Sequence, residues 1–149
     1  MENVPVQLAW GFLLTLLTTV MHVLGSGYLL VLVRRHVRSF QHTRAWHQLT
    51  LTVVALVMGL VVLHALEILA FAWAYMFVQA FPDWEHALFF STANYATVGA
   101  EDLTTDKWRL LGAWEGFVGF ILIGWSTALF ITVILRIWSE DHKWFDPPS

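Results

Sequence analysis

Cysteine is absent from this 149-residue chain. That excludes disulfides, thiolate metal sites and a cysteine nucleophile, and it leaves the compartment open. Charge is scarce: Asp, Glu, Lys and Arg make up 13% of the residues, against about a quarter in a typical soluble domain. The formal net charge of −3 gives no reason to expect a nucleic-acid partner. No nucleophile–base pairing stands out and no histidine–carboxylate set has metalloprotease spacing, so an enzyme finds no support. The spans carry no regular arginine ladder of a voltage sensor, and no inverted repeat of a transporter is visible. The amino terminus, MENVPVQ, holds an acid and no basic cluster. It is expected to remain in the mature protein rather than to act as a signal peptide.

What the chain has is apolar residues, 58% of the total, gathered into three runs. Leu8–Val33, Leu49–Phe81 and Leu110–Ile137 each exceed the ~20 residues that cross a bilayer as a helix. The fold class expected is therefore all-α integral membrane, with three transmembrane helices. The segment RRHVRSFQHTRAWHQ, Arg34 to Gln48, contains four arginines, three histidines and no acid. By the positive-inside rule it is cytoplasmic, which puts the N-terminus and Pro82–Arg109 outside and the C-terminus inside. His36, His42 and His47 in this segment invite a pH-sensor reading, though such residues more often face cytosol or lipid headgroups, as the arginines do.

Between the second and third runs lies Trp84–Tyr95, about twelve residues and too short to cross, and then "STANYATVGAEDL", Ser91 to Leu103. If both ends lie outside, this reads as a re-entrant helix with a non-helical return. Such backbone is tolerated at membrane depth only inside protein or beside a water-filled cavity. A short outer helix with a solvated acidic loop would give the same pattern.

"FFSTANYATVGAEDL" resembles the pore loop of the potassium-channel superfamily, usually T-T-V-G-Y-G-D after a short pore helix. "WRLLGAWEGFVGFILIGWSTALF" is similar to the inner helix of bacterial two-helix-pore channel-like proteins. The resemblance covers roughly Trp84 to Ile137. It implies a pore domain over 49–138, with outer helix 49–81, pore helix and filter 84–102 and inner helix 110–137. An extra helix and basic loop over 1–48 precede it, and a cytoplasmic tail over 139–149 follows, with no ligand-binding domain expected after the third span. It also implies a homotetramer in the bacterial inner (plasma) membrane, contacting lipid and no nucleic acid. No cofactor is expected beyond permeant K+ or Na+, with Ca2+ a further candidate at the outer mouth.

Carried over residue by residue, the resemblance makes Thr97, Val98 and Gly99 ion-coordinating filter positions and Asp102 the acid of the outer mouth. Ala100 stands where the family has tyrosine, and Glu101 where it has the second glycine. Those two departures weaken the upper filter, so the expectation is a cation channel passing K+ with reduced selectivity over Na+. The alternative is a non-conducting scaffold or subunit with a collapsed filter.

Ionisable residues inside a bilayer are costly and usually paired. His22 in the first span, and His64 and Glu67 in the second, would sit at similar depth, His64 and Glu67 on one helix face. They form either a structural interhelical hydrogen bond or a proton- or metal-sensing cluster, histidine titrating near neutral pH; no metal site beyond the permeant cations is expected. Glu115 either snorkels to the outer water or bonds behind the filter. Gly112 and Gly116 have G-x-x-x-G spacing for close helix approach, and Gly119 and Gly124 are candidates for packing or a hinge.

Overall fold

The computed structural model describes residues 3–39, 46–100 and 106–139. Glu101 and Asp102, His42 and Arg44 of the basic segment, and the tail from residue 140 onward lie outside the described residues. The described chain forms four helices: α1 (Val4–Ser39), α2 (Trp46–Phe77), α3 (Trp84–Tyr95) and α4 (Arg109–Ser139), the last preceded by a 3-10 turn over Asp106–Trp108. The prolines permit this: Pro5 lies in the first turn of α1 and Pro82 between α2 and α3, positions where the missing N–H and fixed φ do no harm.

Helix α2 stops at Phe77, four residues before the end of its apolar run. The N–H of Gln79 bonds to Met76 O and that of Ala80 to Tyr75 O. This paired arrangement is a Schellman cap, and Gln79 takes the left-handed conformation it requires, φ 53°. Three residues further on, Asp83 opens α3 with extended backbone, its carboxylate accepting the His86 N–H at 3.0 Å. α3 occupies the short stretch between the two runs. α4 begins one residue before its apolar run, and the basic Arg34 and Arg35 continue α1 as helix.

Cross-links fix the helix directions. From α1 to α4, the Gln7 side-chain oxygen accepts the Leu111 N–H at 3.1 Å, and Trp114 Nε1 donates to Thr15 Oγ1 at 2.9 Å. The Trp114 ring also lies over Gly11. The pairs rise together along both helices, so α1 and α4 are parallel. α2 runs the other way: Tyr75 pairs with Glu115 and His64 with Ser126. Gly25 faces the Leu63 side chain and Gly59 that of Leu29, where α1 and α2 come close.

Two apolar cores result. At the α3 end, Leu14, Phe71, Tyr75, Phe81, Phe90 and Trp108 pack together, with Phe90 edge-on to Tyr75 at a centroid distance of 5.1 Å, a favoured aromatic geometry. Leu56, Leu60 and Val133 close the opposite end. Much of the remaining surface is apolar and exposed, including Leu16, Leu24, Leu51, Phe120 and Leu135. α1, α2 and α4 are each long and apolar enough to cross a membrane, and an apolar surface of this extent has no place in water. The chain is a membrane protein.

Candidate functional site

α3 packs between α2 and α4 and descends along them. Its Ser91 hydroxyl lies 2.9 Å from Ile68 O, and its last residue, Tyr95, reaches Glu67. Glu67 is ten residues before the end of α2, about 15 Å along a helix axis. α3 therefore ends deep in the bundle, with the negative end of its dipole directed there. Asp83 and His86 hold the other end. The His86 backbone N–H and then its ring keep the Asp83 carboxyl below the usual carboxylate range, and Asp83 in turn raises His86.

The chain leaving α3 is also folded as a Schellman cap. Thr97 N–H bonds to Asn94 O at 2.8 Å, Val98 N–H to Ala93 O at 2.9 Å, and Gly99 N–H to Ala93 O at 3.1 Å. Thr97 is left-handed at φ 61° and Gly99 at φ 80°; for a β-branched residue such as threonine that conformation is an outlier. All three N–H groups turn back onto α3, and among the described residues no backbone N–H bonds to the carbonyls of Thr97, Val98 or Gly99. Val98 is 80% exposed, Gly99 has open space around it, and Ala100 packs against the aromatic core.

The glycines of α4 make room for α3. A Cβ on Gly112 would lie 2.7 Å from the Phe90 ring, on Gly116 3.1 Å from Asn94 O, and on Gly119 2.2 Å from Tyr95 O. The last is backbone and cannot step aside, so Gly119 is a close-approach position. Gly124 has nothing within 4 Å.

Glu115, fully buried on α4, lies behind α3. It accepts the Tyr75 hydroxyl at 2.8 Å and the Ser91 hydroxyl. A buried carboxyl group is tolerated only where hydrogen bonds satisfy it, and here α2 and α3 each provide one.

One helical turn of α3 further on, a second buried carboxylate gathers all four helices. His22 Nδ1 lies 2.8 Å from Glu67 Oε1, and His64 Nδ1 lies 2.9 Å from Glu67 Oε2. The Tyr95 hydroxyl donates to Glu67 Oε2 and lies 2.9 Å from His64 Nδ1. Ser126 Oγ is 2.9 Å from His64 Nε2 and 3.5 Å from His22 Nε2.

The structure thus brings His22, His64 and Glu67 together, and sets Thr97, Val98 and Gly99 at the C-terminus of α3, Tyr95 joining the two groups. Tyr95 and Ser126 join the cluster, though the sequence pattern alone does not mark either residue. Their signal was weak: a hydroxyl at the end of the short segment and another inside an apolar span.

Residues 63–136 match the family described as an ion channel. The matched stretch takes in the His64–Glu67 turn of α2, all of α3 and the chain that follows it, and α4 almost to its end; α1 lies outside it. This is a family of channels, not of enzymes, and the match supports a channel function. No curated protein and no solved structure matches the chain.

Proposed function

We propose that this chain is a pore-loop cation channel, potassium-channel-like, in which four copies surround one axis and the carbonyls of Thr97, Val98 and Gly99 line the ion path. The observation that carries the reading is the direction of the peptide groups at the end of α3. All three N–H groups are engaged by Ala93 O and Asn94 O, and the three carbonyls receive no backbone donor among the described residues. Carbonyls free of internal donors replace the hydration shell of a dehydrated cation. The C-terminus of α3, ending about 15 Å along α2, adds partial negative charge where a cation would rest midway across. Irregular backbone at such depth belongs beside a wet passage or inside protein, and the exposure of Val98 fits a surface that neighbouring copies cover.

Ala100 and Glu101 replace the tyrosine and second glycine of the family pattern, so the proposed pore passes K+ with weakened preference over Na+. Glu101 and Asp102 of four chains would place eight carboxylates at the outer mouth, attractive to cations and to Ca2+. The second reading, a non-conducting scaffold, draws on the compact cap: Thr97–Gly99 fold back on α3 rather than running extended. Flux decides between them. Purified protein in liposomes should admit K+, and Na+ more slowly, above empty vesicles. If neither ion enters across several pH and divalent conditions, the channel reading falls and the scaffold stands.

A further inference from the structure

Three side chains able to ligate a metal converge at the centre of the bundle. One ligand atom from each of His22, His64 and Glu67 lies within 4.8 Å of the others. Two imidazoles and a carboxylate are the donor set that Zn2+, Co2+ and related ions take in proteins. We propose that His22, His64 and Glu67 form a binding site for one divalent transition-metal ion in each chain.

The geometry is close to what such an ion needs. The two Nδ1 atoms lie 2.8 and 2.9 Å from the two oxygens of one carboxylate. Ligands at ~2.0–2.1 Å from a common ion stand at most about 4.2 Å apart, so the three donor atoms, which lie within 4.8 Å of one another, draw together on binding while each Nδ1–oxygen pair opens by about half an ångström toward tetrahedral spacing. The supporting groups suit the same assignment. With both Nδ1 atoms on the metal, both Nε2 atoms carry hydrogen and point at Ser126 Oγ, 2.9 and 3.5 Å away. An outer oxygen of this kind fixes the ring and tautomer of a metal-bound histidine. The Tyr95 hydroxyl holds the carboxylate from the side of α3. His22 and Glu67 are fully buried, and the 18% exposed side chain of His64 gives the ion an edge from which to enter. Glu67 neutralises half of the ion's charge.

The site bridges α1 and α2 directly and reaches α3 through Tyr95, two residues before Thr97. An ion there would clamp the first helix to the segment that precedes the filter. The proposal itself stands on binding, not on ion flux, so it survives or fails separately from the channel reading.

Co2+ is the probe. The full chain in detergent, stripped with chelator, should take up one Co2+ per chain with the visible ligand-field bands of a nitrogen–oxygen site, and Zn2+ should displace it. His22→Gln with His64→Gln should abolish the bands, whereas His36→Gln with His47→Gln and His86→Gln should leave them. Tyr95→Phe should weaken binding about 10-fold, as loss of an outer partner does. Should the double variant misfold, Zn X-ray absorption on the unaltered protein gives the count directly: two imidazole neighbours support the site. Absence of stoichiometric Co2+ uptake, bands that persist without His22 and His64, or fewer than two imidazoles around Zn2+ would overturn it.

Discussion

The hydroxyl of Tyr95, the last residue of α3, donates to Glu67 Oε2 in the interior of α2. This contact, with the approach of the same hydroxyl to His64 Nδ1 at 2.9 Å, anchors the end of the short helix to the cluster shared by α1, α2 and α4, and it sets the depth at which the irregular segment begins. Removing it with Tyr95→Phe keeps the ring and leaves a buried carboxylate short of one donor. The expected cost is about 1–3 kcal/mol, read as a lower midpoint in chemical unfolding of the purified protein. An unchanged midpoint would mean that Glu67 is fully satisfied by the two histidines.

Gly119 and Gly124 should respond in opposite ways to the same methyl group. Gly119→Ala places a Cβ against the Tyr95 carbonyl and forces α4 away from α3, an overpacking cost of ~1–3 kcal/mol or more. Gly124→Ala meets open space and gains helix propensity of up to ~1 kcal/mol. Thermal unfolding of the two variants side by side tests the assignment; equal effects would contradict it.

Gln79 offers a stabilising change. Its left-handed backbone, φ 53°, suits glycine, and the side chain is exposed. Gln79→Gly should add roughly 0.5–1 kcal/mol, the relief of left-handed strain less the entropy of glycine. A fall in stability on this substitution would show that the turn does not persist in solution.

The start of α3 should be sensitive to pH on both sides. Asp83 is held low, so its contribution is present above the ordinary carboxylate range and fades as pH falls through its lowered value. His86 is held high, so its contribution is full below its ordinary value near 6.5 and fades as pH rises through the raised one. The pair is therefore strongest between these two limits. Subtracting the stability–pH profile of Asp83→Asn from that of the unaltered protein should give a hump in this window. A flat difference would count against the cap.

If Thr97–Gly99 line the ion path as proposed, Ala100→Tyr combined with Glu101→Gly completes the potassium-channel pattern T-V-G-Y-G-D. In liposomes the double variant should show a higher K+ to Na+ flux ratio than the unaltered chain. The same ratio in both would argue against placing the filter at Thr97–Gly99.

The three long helices were legible because apolar residues run on in sequence without charge, and α3 was legible because Pro82 and Asp83 punctuate its start. The end of α2 was not. Pro82 suggests that the run continues to Phe81, yet the cap closes at Gln79, and no glycine marks the place. The same holds at Thr97, where a β-branched residue occupies a position glycine would normally fill. His22, His64 and Glu67 were visible as polar residues at matching depth. Their partners Tyr95 and Ser126 were not: a serine hydroxyl in an apolar helix bonds its own backbone as readily as a neighbour, and Tyr95 ends a polar segment in which nothing marks the direction of its ring. The role of Gly119 also needed the third dimension: spacing picks out glycines, but only the position of the Tyr95 carbonyl separates Gly119 from Gly124.

Gln7 has a consequence for what counts as the working unit. Its side chain closes the Leu111 N–H at the head of α4, while Thr15 and His22, further down the same helix, hold Trp114 and Glu67. The stretch that matches channels begins only at residue 63, yet it is not a portable module. Cut free of the first helix, it would carry an orphaned amide, a loosened indole and a carboxylate stripped of one imidazole into the lipid, so the added span is structural mortar for the channel-like stretch rather than an ornament beside it.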